Sequence, residues 1–207
     1  MALMIGARAP KLMPKGGTKT YNSQSMDFNV QTAGGEKMQE QEFIESRDEM
    51  EKLLKEEAVG YLGLCLKDEP YVVPLNYCYF DGKLLFHCGF KGKKLDYLRA
   101  NGHVCFSVGR QRAEVREHGG EDPCHVDSDS VLCYGTARVI EDVGGRQAAL
   151  NAFNHRFRPE APDVPVERVI NCCMVEIAIC EMTGRRERER KRTCWRYTFS
   201  PAPAQRK

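Results

Sequence analysis

From Phe43 onward the apolar positions fall into two periods. Met50, Leu53 and Leu54 recur at helical spacing behind Ser46-Arg47-Asp48-Glu49. That tetrapeptide has capping-box form, so the pattern predicts a short amphipathic helix with Ser46 as N-cap, ending before Gly60. Strand-like runs follow at Tyr61–Leu66, Tyr71–Phe80 and Leu84–His87, with Asp81-Gly82 between the last two. A two-residue type I′ turn needs positive φ at both central positions, and Asp-Gly supplies it, so a hairpin is predicted there. Pro74 interrupts the second run. Lacking an N–H, it predicts an edge or bulged strand with backbone groups free for another partner.

Lys93–Ala100 reads as a two-turn helix burying Leu95 and Leu98 and closing near Asn101-Gly102. Further strands are predicted at His103–Val108 and Ser130–Ile140, with Arg110–Asp129 as a long polar loop between them. Gly145–Phe157 has Leu150, Phe153 and Phe157 on one helical face. Cys173–Cys180 alternates, with Val175, Ile177 and Ile179 on one side, and Thr193–Phe199 makes a last strand. The inventory is six or seven strands, mostly antiparallel because their connections are short, and about three short helices. Half-buried sheets of that size tend to close. The expectation is an α+β domain over 37–207 built on a small barrel, preceded by a flexible N-terminal arm over 1–36 whose Gly-, Lys-, Gln- and Ser-rich sequence has no period.

Composition narrows the classes. A formal net charge of +2 gives no global electrostatic case for nucleic acid or a membrane surface. No run approaches the ~18 apolar residues of a membrane span, and the apolar patch before Arg8 is shorter than the roughly 7–15 residues of a signal-peptide core. Ten cysteines occur without a CxxC pair, and most lie inside apolar runs where a thiol acts as a small hydrophobe. A reduced, cytoplasmic protein is expected. The run Arg185–Arg192 holds six basic and two acidic residues and reads first as a solvated connector, with a cofactor-phosphate contact or nonspecific RNA binding as the functional alternatives. His118, Cys124 and His125 match no zinc spacing, so no metal site is expected.

The segment HCGFKGKK (His87–Lys94) carries the clearest chemistry. Lysines at a helix start oppose the helix dipole, so Lys93 and Lys94 concentrate positive charge where it is already positive. A bound phosphate would resolve the conflict, with Gly89 and Gly92 allowing close backbone approach. A solvated basic turn is the other reading of the same residues. The spacing is not that of a P-loop.

VGYLGLCLKDEPYVVPLNYCYFDGKLLFHCGFKGKKLDYLRANGHVCFSV, followed by SVLCYGTARVI, resembles the flavin-binding split barrels related to pyridoxamine 5′-phosphate oxidase, in particular the nitroimidazole-resistance branch. The resemblance spans roughly residues 43–183. It implies an antiparallel split β-barrel, an FMN cofactor and a homodimer acting on a small-molecule substrate, with no membrane or nucleic-acid partner. It further implies that the isoalloxazine lies along Val73, Pro74, Leu75, Asn76 and Tyr77, contacted by backbone groups. The phosphate would sit against Phe86, His87, Gly92, Lys93 and Lys94. His87 would either donate a proton to an acceptor reduced by flavin hydride, such as a nitroaromatic, or simply hydrogen-bond phosphate or backbone. A flavin- or haem-binding carrier or sensor without turnover is the alternative of a different class. Trp195-Arg196 is similar to a C-terminal Trp-Arg pair of the oxidases, but the preceding Arg-rich run departs from their pattern.

Overall fold

The computed structural model describes residues 41–44, 46–115, 126–188 and 191–199. The predicted arm over 1–36 and the residues His118, Cys124 and His125 lie outside them. In chain order the elements are β1 (Gln41–Ile44), α1 (Asp48–Glu56), β2 (Val59–Leu66), β3 (Glu69–Asn76), β4 (Cys78–Phe80) and β5 (Lys83–Cys88). They continue with α2 (Lys93–Ala100), β6 (His103–Val115), β7 (Val126–Val139), α3 (Val143–Phe157), α4 (Val166–Val169), β8 (Cys173–Arg188) and β9 (Lys191–Thr198). The hydrogen-bonded path runs β1-β9-β8-β7-β6-β2-β3, and the β4–β5 hairpin joins it through β5 and β8. Only β1–β9 is parallel among these pairs. This is the expected α+β antiparallel split barrel. The described strands number nine because Tyr71–Phe80 divides at Tyr77 and because β1 adds a strand.

The split originates in β8. One edge of this strand pairs with β7, while the other takes β5 along Cys173–Ala178 and β9 along Glu181–Arg188. The change of partner falls at an irregularity: Tyr134 opposes Glu181 but Gly135 opposes Ile179, leaving Cys180 unmatched as a bulge. Phe199, just after β9, donates its N–H to the Cys180 carbonyl at 2.8 Å. Gly135 is required here by close approach, since a Cβ on it would stand 2.3 Å from the Ala178 carbonyl oxygen.

Both faces of the first half of β8 are buried. Val175, Ile177 and Ile179 join Leu62, Tyr77, Phe86 and Phe106 in the main core. Met174 packs the opposite way, with Cys78 and Leu85, against Leu150 and Phe153 of α3 and Val169 of α4. Glu176 on that second face is held by Arg138 Nε at 2.6 Å and Lys83 Nζ at 3.6 Å.

Local rules hold at the turn and at α2. Asp81 (φ 48°) and Gly82 (φ 72°) form the predicted two-residue turn, with Phe80 opposite Lys83. Helix α2 has the predicted bounds and buries Leu95, Tyr97 and Leu98. β3 ends the sheet path, as the edge reading of Pro74 required.

Four expectations are corrected. Ser46 is not the N-cap: that position is Arg47, whose guanidinium pairs with Glu51 and lies over the rings of Tyr197 and Phe199 at 5.4 and 4.9 Å. Tertiary packing of a cation on aromatic faces overrides the local box. Helix α3 starts earlier than expected, at Val143, capped by Asp142 through Gly145 N–H, while Phe157, 40% exposed at the helix end, shares the Phe153 face with 5.1 Å between ring centres. The described parts of the predicted loop over Arg110–Asp129, residues 110–115 and 126–129, are strand, with Arg110 paired to Asp129 and Gln111 to Ser128. Arg185–Arg192 is not a solvated connector, since its described residues belong to the β8–β9 hairpin.

The last two share a cause. Asp129 is buried, and its carboxylate accepts from Arg186 Nε at 2.9 Å, from Arg188 Nη2 at 2.7 Å and from Arg110 Nη2 at 3.3 Å. Burial pushes this carboxyl up, but hydrogen bonds from Arg186 and Arg188 outweigh that and hold it below its ordinary range. Arg110, Arg186 and Arg188 thus converge across strands on one buried carboxylate. Among the described residues no helix is long and apolar enough to cross a membrane.

Replacing Gly135 by Ala should destabilise the protein by about 3 kcal/mol, the upper range for overpacking against backbone, seen as a lower urea midpoint at unchanged slope. An unchanged midpoint would show that β8 does not need the close approach.

Candidate functional site

The corner between β5 and α2 is built by two glycines. Gly92 is the N-cap of α2 at φ 134° and ψ 159°, a conformation that L side chains rarely adopt. A Cβ on Gly89 or Gly92 would meet nothing within 4 Å, so the backbone of this turn is open to a ligand. The turn borders a cavity of about 230 Å³ lined by Tyr71, Cys88 and Lys91 through Leu95.

The two lysines differ. Lys93 Nζ bonds Glu69 Oε1 at 2.7 Å and lies 5.0 and 5.3 Å from the ring centres of Tyr71 and Tyr97. The Glu69 hydrogen bond raises the Lys93 pKa, and the same bond lowers that of Glu69. Lys94 is half-buried, its ammonium 5.2 Å from the centre of the Phe86 ring. It has no carboxylate partner among the described residues. A half-buried cation balanced only by an aromatic face is under-neutralised, which suits it to hold an anion.

His87 follows the fully buried Phe86 and places its ring edge-on to Phe153 of α3, 4.8 Å between centres at 85°. Burial first, and the Lys94 charge second, depress its pKa below the ordinary 6.5, so the imidazole is neutral at pH 7. Cys88, the next residue, has its thiol pushed up to about 11 by burial and by Cys173, with Lys94 acting the other way.

The structure brings Phe86, His87 and Lys94 together and sets Lys93 beside them, already engaged. β3 connects to this corner at its beginning, where Glu69 and Tyr71 touch Lys93, and then runs away from it to Asn76. Pro74 and Asn76 are exposed, while Val73 and Leu75 are half-buried. An anion held at the corner can therefore carry a body lying along the β3 edge. Tyr77 is different: its side chain is fully buried, donates to the Leu54 carbonyl at 2.9 Å and meets Phe106 edge-on. Only backbone atoms of Tyr77 and Phe86 remain for a ligand. Trp195 is core, lying under the Arg186 guanidinium at 4.9 Å, and Arg196 pairs with Glu181 at 3.2 Å.

Sequence reasoning missed Glu69, Tyr71 and Tyr97. No local signal marks Glu69 as the partner of Lys93, because 24 residues separate them and only the β2–β3 turn, with Lys67 and Asp68 at positive φ, delivers it.

A sequence profile described as pyridoxamine 5′-phosphate oxidase matches residues 46–186. The chain belongs to that family. The matched segment contains β3, β5 and α2, hence every predicted site residue, and ends before Trp195-Arg196. A solved structure from Bacteroides thetaiotaomicron, named for a proposed role in 5-nitroimidazole antibiotic resistance, is 25% identical with a TM-score of 0.60, over 68% of this chain and 84% of that one. An FAD-binding protein from Mesorhizobium loti is 27% identical with a TM-score of 0.50, over 69% of this chain and 96% of that one. An uncharacterized protein from Rhizobium meliloti is 29% identical over 65 residues, which are 31% of this chain and 42% of that protein. The shared segment is thus less than half the length of that curated relative.

The His87 C2 proton should titrate below pH 6.5, and Lys94→Met should move its midpoint upward, as followed by NMR. The unfolded chain binds the proton more readily than the folded one. This group's contribution to stability is therefore complete above pH 6.5 and declines as pH falls from there to the folded value. A midpoint at or above 6.5 in the free protein would contradict the assigned environment.

Proposed function

We propose that this family member binds FMN with its phosphate at the β5–α2 corner and its ring along the β3 edge, and reduces a small acceptor, for which a nitroaromatic is the leading class. The single observation that carries the reading is the Lys94 ammonium, half-buried at a helix start without a carboxylate partner among the described residues. The family match and the similarity to the Bacteroides and Mesorhizobium proteins support it. Reduced FMN, when bound, supplies a hydride.

The protein's own residues do the rest. Lys94 and the open Gly89–Gly92 backbone hold the phosphate, and Lys93 joins them when it leaves Glu69. Val73, Pro74, Leu75 and Asn76 present the β3 edge to the ring. His87 holds a proton on one ring nitrogen for the acceptor. A phosphate beside it has the sign opposite to an imidazolium, so binding offsets the effect of Lys94 and raises the His87 pKa toward neutrality, where a general acid works best.

The partner in this reading is a second copy of the chain. Val59, Tyr61, Val72 and Tyr134 are large apolar residues between 40 and 61% exposed, on the outward-facing positions of β2, β3 and β7. That face adjoins the β3 edge, so a homodimer would cover the ring that one sheet leaves open.

Flavin titration followed by fluorescence tests the corner. Lys94→Ala should weaken FMN binding about 10- to 100-fold, as expected for one lost charge-assisted contact of about 1.5–3 kcal/mol. Glu69→Gln should strengthen it about two- to fivefold by freeing Lys93 from an exposed pair. Wild-type affinity in both variants would remove the phosphate from this corner. With FMN bound, His87→Ala should keep the flavin and slow acceptor reduction; equal turnover would leave His87 as scaffold.

A further inference from the structure

Of the strand registers described, only one sets a cysteine against a cysteine: Cys88, the last residue of β5, lies directly opposite Cys173, the first of β8. Directly opposed antiparallel residues have Cα atoms about 4.5–5.5 Å apart and side chains on the same face. A disulfide needs about 4.4–6.8 Å. Cys173 also belongs to the buried core against which the half-buried Cys88 packs, and it is among the groups that push the Cys88 thiol up. Their exposure differs. Cys173 is 2% exposed, whereas Cys88 is half-buried and lines the cavity at the α2 corner. Cys172 is turned elsewhere, with its Sγ 3.8 Å from the Cys173 carbonyl oxygen and 4.0 Å from Met174 Sδ.

We propose that Cys88 and Cys173 are a redox-active dithiol, Cys88 reacting with a peroxide that enters the cavity and Cys173 closing the disulfide behind it. In the first step the Cys88 sulfur attacks a peroxide oxygen; the S–O bond forms, the O–O bond breaks and water leaves, giving a sulfenic acid. In the second, Cys173 sulfur attacks that sulfur; the S–S bond forms, the S–O bond breaks and a second water leaves. The two thiols lose two electrons and the peroxide gains them. Lys94 is the charged group facing Cys88 from α2, and its ammonium favours the thiolate that attacks. Burial and the neighbouring thiols Cys172 and Cys173 oppose it, so the reaction is slow at neutral pH. The product fastens the end of β5 to β8 immediately before the Gly89–Gly92 turn.

The test uses the full-length reduced protein without flavin, so its outcome is independent of the FMN reading. After exposure to hydrogen peroxide, non-reducing digestion and mass spectrometry should find the peptides containing Cys88 and Cys173 joined, with fragmentation placing the link at Cys173. Cys172→Ser should keep the link. Cys173→Ser, if it retains its circular dichroism, should lose it and accumulate Cys88 as sulfinic or sulfonic acid. Lys94→Gln should slow link formation severalfold while leaving its position unchanged. A link through Cys172, or wild-type Cys88 ending as sulfonic acid with Cys173 still a free thiol, would overturn the proposal.

Discussion

The architecture depends on β8 serving two partners along one edge. Up to Ala178 that edge belongs to β5, and from Glu181 to β9, with the Cys180 bulge between. A continuous partner would give an ordinary sheet. The bulge adds local twist, and the missing Cβ of Gly135 lets β7 follow it at contact distance from Ala178. One consequence is the split itself. The other is that β5 ends free of β9, so the chain turns at Gly89–Gly92 and starts α2 in a corner where His87, Cys88 and Lys94 meet.

That corner is electrostatically incomplete, whereas three carboxylates elsewhere in the fold are matched. Asp129 is surrounded by Arg110, Arg186 and Arg188, Glu176 by Arg138 and Lys83, and Glu51 by Arg47 and Lys55. Lys94 has an aromatic face in place of a carboxylate. Lys93, one residue earlier, is neutralised by an exposed glutamate that a stronger anion can displace. The contrast separates a permanent part of an anion site from an adjustable one. Unmatched Lys94 also adds to the burial that keeps His87 neutral, because its charge is positive and the aromatic neighbour of His87, Phe153, offers none in compensation.

Some of this was legible in the sequence for identifiable reasons. Asp81-Gly82 defines a turn that needs only local backbone freedom, and Lys93–Ala100 has a period that needs only an apolar neighbour. Pro74 marks an edge because it lacks a donor anywhere. Errors cluster where a local rule met a distant partner. Ser46 has the right neighbours for a cap, but Arg47 is drawn to Glu51, Tyr197 and Phe199. Arg110–Asp129 and Arg185–Arg192 look like a loop and a connector until the strands align and Arg110, Arg186 and Arg188 meet the buried Asp129. The side chain of Tyr77, beside Pro74, is pinned in the core by Leu54 and Phe106, a placement that rests on packing and leaves its backbone for the expected contact.

The sequence by itself determined the antiparallel class, the β4–β5 turn, the α2 boundaries and the clustering of His87, Lys93 and Lys94, because each follows from contacts within a few residues or from backbone chemistry that no partner alters. Tertiary structure decided which lysine is free, which aromatic residues face inward and which cysteines meet. Those outcomes depend on strand register, and register is settled by packing between segments that the chain order keeps far apart.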